Sequence, residues 1–431
     1  MSKSVRLTAA ALFAGAAGLL PLHLAAQAAP APQAAGASEQ ALIAKARGIH
    51  DRAIKADTHN DINVSNFTDA CNYTMRLTNQ VNLPKMTDGD MDVSFMIVYT
   101  GQGPRTAEGY ASAYTRASGM FDAIHYFTEK IAPTKIGLAL TPADVLRLHK
   151  EGKRIAVIGV ENGYPIGNDI KKVEEFYKRG GRYMSLAHNG NSQLADSNTG
   201  EAQGYLYNNG LSPLGREVIA EMNRLGMMVD LSHPSKGANL EAIKLSKAPV
   251  IASHSSARAL AQVPRNMNDR MIRELAAHGG TMQVNYNTGF LSQAFADARA
   301  ANDGAIRNAI DAEATELCGN NMACEIQAGS DLARERVERG TLPKVEWTEI
   351  VDHIDHAAKL AGAEHVGLGS DFDGADMPYG MEDVTGLPKL TQALLERGYT
   401  PDQVRDILGR NLLRVMEQVE KVAAEEQRAR R

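Results

Sequence analysis

Cysteine, tryptophan and clustered basic charge are scarce in this chain, and each scarcity removes a class of function. Only Cys71, Cys318 and Cys324 occur in 431 residues, and none sits in a Cys-x-x-Cys pair, so thiolate zinc sites and dithiol redox motifs have no support. One tryptophan and 5% aromatics leave too few rings for stacking single-stranded nucleic acid. A net charge of -5 offers no basic face to nucleic acid or to an anionic membrane. No Gly-x-Gly-x-x-Gly follows the first strand-like stretch, which argues against a dinucleotide-binding fold. No repeat of solenoid length is present.

What is present begins with a targeting segment. Lys3 and Arg6 are the only charges before Glu39, and the apolar run that follows, broken by Pro21, leads to the small-x-small pattern Ala26-Gln27-Ala28. Residues 1–28 therefore read as a secretory signal peptide, with an uncleaved membrane anchor as the alternative. The absence of a twin arginine favours a Sec-type route, and no cysteine follows the cleavage pattern to carry a lipid. With no apolar segment after Arg410, the expectation is a periplasmic protein without a stable membrane anchor. Residues 29–40, rich in Ala, Pro and Gln, read as a disordered lead-in. Export permits disulfides. Cys318 and Cys324 enclose a short flexible stretch, so a bridge between them is expected, with Cys71 free or paired between chains.

From residue 41 onward, strand-like stretches alternate with helical ones. The strands fall at about residues 56–61, 90–99, 154–163, 182–190, 227–233, 248–255, 280–286 and 365–371. Residues 154–163 are representative, with a continuous apolar run ending in Glu161, as expected of a strand buried on both faces. This alternation predicts an α/β protein, a (β/α)8 TIM-type barrel spanning 41–419. A doubly wound open sheet is the alternative. Residues 291–346 lack a good strand and read as a helical insertion over the barrel. Residues 420–431 read as a charged, frayed tail.

Nearly every predicted strand ends in a residue with chemistry. His59 and Asp61 close the first, Glu161 the third, His188, His233 and His254 the next three, and Asp371 the last. In a barrel these ends ring one mouth, where active sites sit. A single histidine there is more often a satisfied polar residue, Glu161 alone a loop cap, and Asp371 alone a helix cap. Seven such residues on one rim point to a site, and a cation removes the desolvation cost of the carboxylates. Three histidines and two carboxylates exceed what one catalytic zinc needs. Two metals about 3.5–4 Å apart, sharing a carboxylate, fit better and would polarise a water and a carbonyl. His59 and Asp61 are assigned to one metal, His233 and His254 to the other, and Glu161 to the bridge.

The elements Thr-His59-Asn-Asp61, Gly-Val-Glu161-Asn-Gly, His188-Asn, Asp-Leu-Ser-His233, Ser-His254-Ser-Ser-Ala and Gly-Ser-Asp371-Phe-Asp-Gly resemble the membrane (renal-type) dipeptidase family, from about Ile54 to Met416. The resemblance implies a barrel with two Zn2+ bridged by Glu161, where related amidohydrolases often use a carboxylated lysine. It implies that His188 binds the substrate carbonyl or its oxyanion, that Asp371 is the acid/base, with Asp373 a weaker candidate, and that Arg265 binds the substrate's terminal carboxylate. Without the resemblance Arg265 reads as a surface arginine. Tyr286 and Asn287, at the end of another strand, are expected to touch substrate.

The expected function is a zinc-dependent dipeptidase acting on small peptides, some with a D-residue at the C-terminal position. An N-acyl amino-acid hydrolase and a non-catalytic metal-binding barrel are the alternatives. Dimerisation is an expectation at family level. The insertion at 291–346 exceeds what the family core needs and lies where it would cover the mouth.

Overall fold

A computed structural model describes residues 37–319 and 321–430. The segment read as a signal peptide, 1–28, lies outside the described residues, as does most of the lead-in. Helix Ala37–His50 opens inside that lead-in.

Nine parallel strands form one sheet: β1 (Ala56–Asp61), β2 (Val93–Tyr99), β3 (Ile136–Leu138), β4 (Arg154–Glu161), β5 (Gly181–Ser185), β6 (Met228–Asp230), β7 (Ile251–Ala252), β8 (Thr281–Val284) and β9 (Val366–Leu368). Neighbours run β2-β1-β9-β8-β7-β6-β5-β4, and β2 pairs again with β4, so eight strands close into a (β/α)8 barrel. Closure removes the open-sheet alternative. The ninth strand, β3, pairs with the first residues of β4 on the side that β5 takes over further along. Its three residues, Ile-Gly-Leu, are too short to show a period, so no sequence pattern marks it as a strand.

Side-chain alternation along the strands divides the core. Phe95 and Ile97 of β2 and Ile155 and Val157 of β4 join Tyr183, Met228 and Ile251 in one cluster. Met96, Val98, Ile158 and Val160 join the other, with Phe121, Phe176 and Val218 of the surrounding helices. Local chemistry sets the helix ends. Thr141 and Asp144 form a capping box ahead of helix Pro142–Lys150, and Gly226, at φ 90°, ends helix Pro213–Leu225 in the left-handed conformation that glycine adopts without strain.

Two features depart from expectation or refine it. The segment at 291–346 is a helical hairpin, Gln293–Cys318 and Met322–Glu338, tied by a Cys318–Cys324 disulfide with Cα atoms 5.5 Å apart. It is packed against the body through Phe295, Ile310 and Ala333, all in the main core cluster. Cys71 is free. The tail expected to fray is instead helical to Ala429. Ala423 is buried in it, Glu426 pairs with Lys247 at 2.6 Å and Gln427 donates to the Arg224 carbonyl, which ties the tail to the body. Among the described residues no helix is long and apolar enough to cross a membrane.

Candidate metal centre

All eight barrel strands point the same way, so their C-terminal ends share one rim. His59 and Asp61 lie within β1 and Glu161 is the last residue of β4, but His188, His233, His254 and Asp371 sit on the loops just past β5, β6, β7 and β9. The strands are shorter than the sequence suggested. His233 and Asp371 adopt φ of 80° and 69°, a conformation that costs a non-glycine residue about 1–3 kcal/mol and clusters at functional sites. On β1 the register against β2 shifts between Asp57 and Asn60, directly at His59. Such irregularities re-aim side chains beside active sites.

The structure brings the expected donors to one point. Glu161 is the hub: its Oε1 lies 2.9 Å from His233 Nε2, 3.3 Å from His254 Nε2 and 3.6 Å from His188 Nε2, and its Oε2 lies 3.5 Å from His59 Nε2. His59 Nε2 is also 3.7 Å from Asp61 Oδ2 and 3.9 Å from Asp371 Oδ1. Donor atoms close enough to hold an ion fall into the triads His59–Asp61–Glu161 and Glu161–His233–His254, which share Glu161, and a third grouping of His59, His254 and Asp371.

Hydrogen bonds on the far side of each imidazole decide what faces this point. The Tyr183 hydroxyl donates to the Thr58 carbonyl at 3.0 Å and so accepts from His59 Nδ1 at 2.9 Å. Ser253 Oγ donates to Asp230 Oδ2 at 2.7 Å and accepts from His254 Nδ1 at 2.8 Å. Asn189 Oδ1 stands 3.4 Å from His233 Nδ1. With each Nδ1 proton engaged, all three Nε2 lone pairs converge on the carboxylates. The Nε2 atoms of His233 and His254 are only 3.0 Å apart, and His59 Nε2 is buried without a hydrogen-bond partner among the described residues. Converging lone pairs and carboxylates repel unless a cation lies between them, and neutral imidazole plus carboxylate is a zinc-type donor set.

The electrostatics agree. Burial, then Arg265 and interaction with His188, holds His233 well below the ordinary imidazole range, and burial with His59 and Arg265 does the same for His254. Burial opposes charge on His59 too, but Glu161, Asp61 and Asp371 outweigh it and raise it to about 9. Burial works against ionised Glu161, yet the surrounding histidines hold it well below the carboxylate range. Glu161 is thus held ionised and His233 and His254 unprotonated, the forms in which these groups bind a cation.

The remaining expected residues divide. His188 is held at about 4 by burial, with Arg265 and His59 adding to it. Asp371 is raised by burial and by Glu161. Arg265 is no surface residue: it is 7% exposed and donates to Ser255 Oγ at 2.8 Å and to the His254 carbonyl at 2.7 Å, while its Nε has no partner among the described residues. Asp373 accepts from the Gln80 and Val81 backbone N–H groups and from Asn79, so it anchors a loop. The side chains of Tyr286 and Asn287 are not brought to the donors. The Tyr286 ring is fully buried, edge-on to Phe372, and Asn287 Oδ1 caps the short helix Thr288–Leu291 through Gly289 N–H.

The residue that β8 does send to the site is Asn285, whose Nδ2 donates to Asp371 Oδ2 at 3.0 Å. Alternation along Val284-Asn-Tyr-Asn was the available signal, but choosing its face requires the barrel. Gly374 closes the Gly-Ser-Asp371-Phe-Asp-Gly element, but the sequence does not show what its missing side chain leaves room for. A Cβ there would lie 2.1 Å from Asp61 Oδ2 and 2.6 Å from Asp371 Oδ1, so glycine leaves the room in which both carboxylates approach.

Known proteins resemble this chain in sequence and fold. The model of the membrane dipeptidase family (peptidase family M19) matches residues 43–430. A relative, dipeptidase tcpJ of Claviceps purpurea (strain 20.1), is 32% identical over 359 residues, covering 81% of this chain and 72% of the relative. The crystal structure of the probable dipeptidase PvdM from Pseudomonas aeruginosa has a TM-score of 0.75 at 26% identity, covering 89% of this chain and 100% of that one. A metallo peptidase from Rhodobacter sphaeroides, liganded with a phosphinate mimic of the dipeptide L-Ala-D-Ala, has a TM-score of 0.66 at 25% identity, covering 85% of this chain and 99% of that one. A match over nearly the whole barrel, on a rim that gathers these donors, leads to one assignment: the chain belongs to the membrane dipeptidase family of metallo-hydrolases.

Proposed function

We propose that this protein is a zinc-dependent dipeptidase that hydrolyses the peptide bond of small dipeptides, including those with a D-residue at the C-terminal position. The observation that carries the reading is the pair of donor triads sharing Glu161, with Asp371 and Arg265 beside them. His59 and Asp61 would hold one ion and His233 and His254 the other. When bound, two zinc ions supply carbonyl polarisation and a water of lowered pKa.

The chain's own residues supply the rest. Arg265 stands buried with an unpartnered Nε–H, and a guanidinium fork suits the terminal carboxylate of a dipeptide. Tyr99 OH lies 3.4 Å from His188 Nδ1, which leaves Nε2–H of a neutral His188 as the donor to the scissile carbonyl oxygen as charge develops there. Asp371, raised by burial and steadied by Asn285, takes a proton from the attacking water and delivers it to the leaving amine as the C–N bond breaks. The phosphinate mimic of L-Ala-D-Ala bound by the Rhodobacter sphaeroides protein supports including D-residues. The leader at 1–28 supports a periplasmic site of action.

The test is a panel of L,L and L,D dipeptides and their N-acylated forms, run with zinc and after chelation. Hydrolysis of free-amine dipeptides that chelation abolishes and zinc restores is expected. Turnover restricted to N-acylated substrates, or no turnover with zinc bound, overturns the proposal.

A further inference from the structure

A cavity of about 430 Å³ opens between the barrel rim and the tip of the 293–338 hairpin. Asp61, Tyr99 and Met120 line it together with Leu317, Ile326 and the Cys318–Cys324 disulfide of the hairpin, and polar Asn63, Asn79 and Asp331 share the lining. Its size falls in the range of small-ligand pockets, about 300–1,000 Å³, far more room than a methyl side chain occupies.

The position of the cavity relative to the donors gives it a direction. Arg265 borders His254 through the His254 carbonyl. Glu161 lies 3.3 Å from His254 and 3.5 Å from His59, and His59 lies 3.7 Å from Asp61. Of Arg265 and Asp61, the cavity's lining includes only Asp61. Two residues of extended chain reach about 7 Å. A dipeptide with its carboxylate on Arg265 and its scissile carbonyl near Glu161 therefore turns its N-terminal residue toward Asp61 and the cavity.

We infer that the disulfide-tied tip of this hairpin is the specificity wall for the N-terminal side chain of the substrate, and that the site takes dipeptides whose N-terminal residue is large and apolar, aromatic or long aliphatic. The inference rests on the dipeptidase reading and adds the side-chain class. Leu317, 70% exposed, and half-buried Ile326 belong to the hairpin rather than to the barrel. The bridge joins the end of one helix to the first turn of the next, which fixes where both side chains point.

The experiment compares kcat/KM of the full-length, zinc-loaded enzyme on Phe-Ala, Trp-Ala and Gly-Ala, and on Ala-Phe and Ala-Gly, before and after Ile326→Trp. The expected result is a fall of at least about tenfold in the Phe-Ala to Gly-Ala ratio, with the Ala-Phe to Ala-Gly ratio held within about twofold, since a filled apolar pocket discriminates on this scale. Both ratios falling together, or the first staying within about twofold, overturns the inference while leaving the dipeptidase reading intact. A wild-type enzyme that cleaves no dipeptide overturns both. Should Ile326→Trp fail to melt cooperatively, Ile326→Ala reads the opposite sign: the Trp-Ala to Gly-Ala ratio rises by about threefold or more, and an unchanged ratio overturns the inference.

Discussion

The hydroxyl of Tyr183 stands 2.9 Å from Nδ1 of His59, although the two residues are 124 positions apart in the chain. Because that hydroxyl gives its own proton to the Thr58 carbonyl, it must accept from His59, and so it holds the imidazole in the tautomer whose Nε2 lone pair faces Glu161 and Asp61. Losing such a partner behind a ligating histidine typically costs about 10–100-fold in metal affinity. Tyr183→Phe, which keeps the ring stacked on Phe95, should therefore weaken zinc binding by about that factor with little change in the melt of the metal-free protein. Gly159→Ala should do at least as much, since its Cβ would come 2.3 Å from the Tyr183 ring. Zinc titration by calorimetry checks both, and unaltered affinity in Tyr183→Phe removes the orienting role.

Asp371 lies 3.9 Å from His59 Nε2 and is held by Asn285. Asp371→Asn keeps the shape and removes the proton acceptor, so kcat should fall by about 10²–10⁴-fold with metal content retained. Elemental analysis beside turnover separates the two effects. Full turnover in the variant eliminates Asp371 as the acid/base.

Arg265 has its two terminal nitrogens fixed by Ser255 and the His254 carbonyl, and its Nε–H left over. A lysine supplies the charge without the fork. Arg265→Lys should raise KM for dipeptides by about tenfold or more, with a smaller effect on kcat, because one bidentate contact to a carboxylate is worth about 1.5–3 kcal/mol. Equal KM values in wild type and variant would place the substrate carboxylate elsewhere.

His353 gives a pH effect remote from the donors. Its Nδ1 accepts from the Ala257 N–H and its Nε2 donates to the Leu291 carbonyl, both at 2.9 Å, and burial lowers it from 6.5 to about 4. A histidine neutral in the native state and free to charge when unfolded stabilises fully above pH 6.5, and that contribution is lost as pH falls toward 4. The loss amounts to ~3 kcal/mol at the low end. Urea unfolding of the chelated protein between pH 7.5 and 4.5 should show this excess slope in wild type and not in His353→Gln. Parallel slopes in the two proteins contradict it.

Residue types and their spacing along the chain carried the fold class and the donor set. Apolar runs ending in His, Glu or Asp mark buried parallel strands and their ends whatever surrounds them, because burial on both faces and the chemistry of the terminal residue are local properties. Glu161 at the last position of β4 and His59 with Asp61 on β1 are of this kind. Cys318 and Cys324 were legible for the same reason, being near neighbours in sequence. What only tertiary structure decided is which face each rim residue presents and what holds it there. Asn285, not Tyr286, meets Asp371; Tyr183 and Asp230 orient histidines from other strands; Gly374 matters through the Cβ it lacks. Those relationships depend on ring closure and on the register shift in β1, which join residues of different strands, and no local pattern encodes a distance that the chain sets only when the barrel closes.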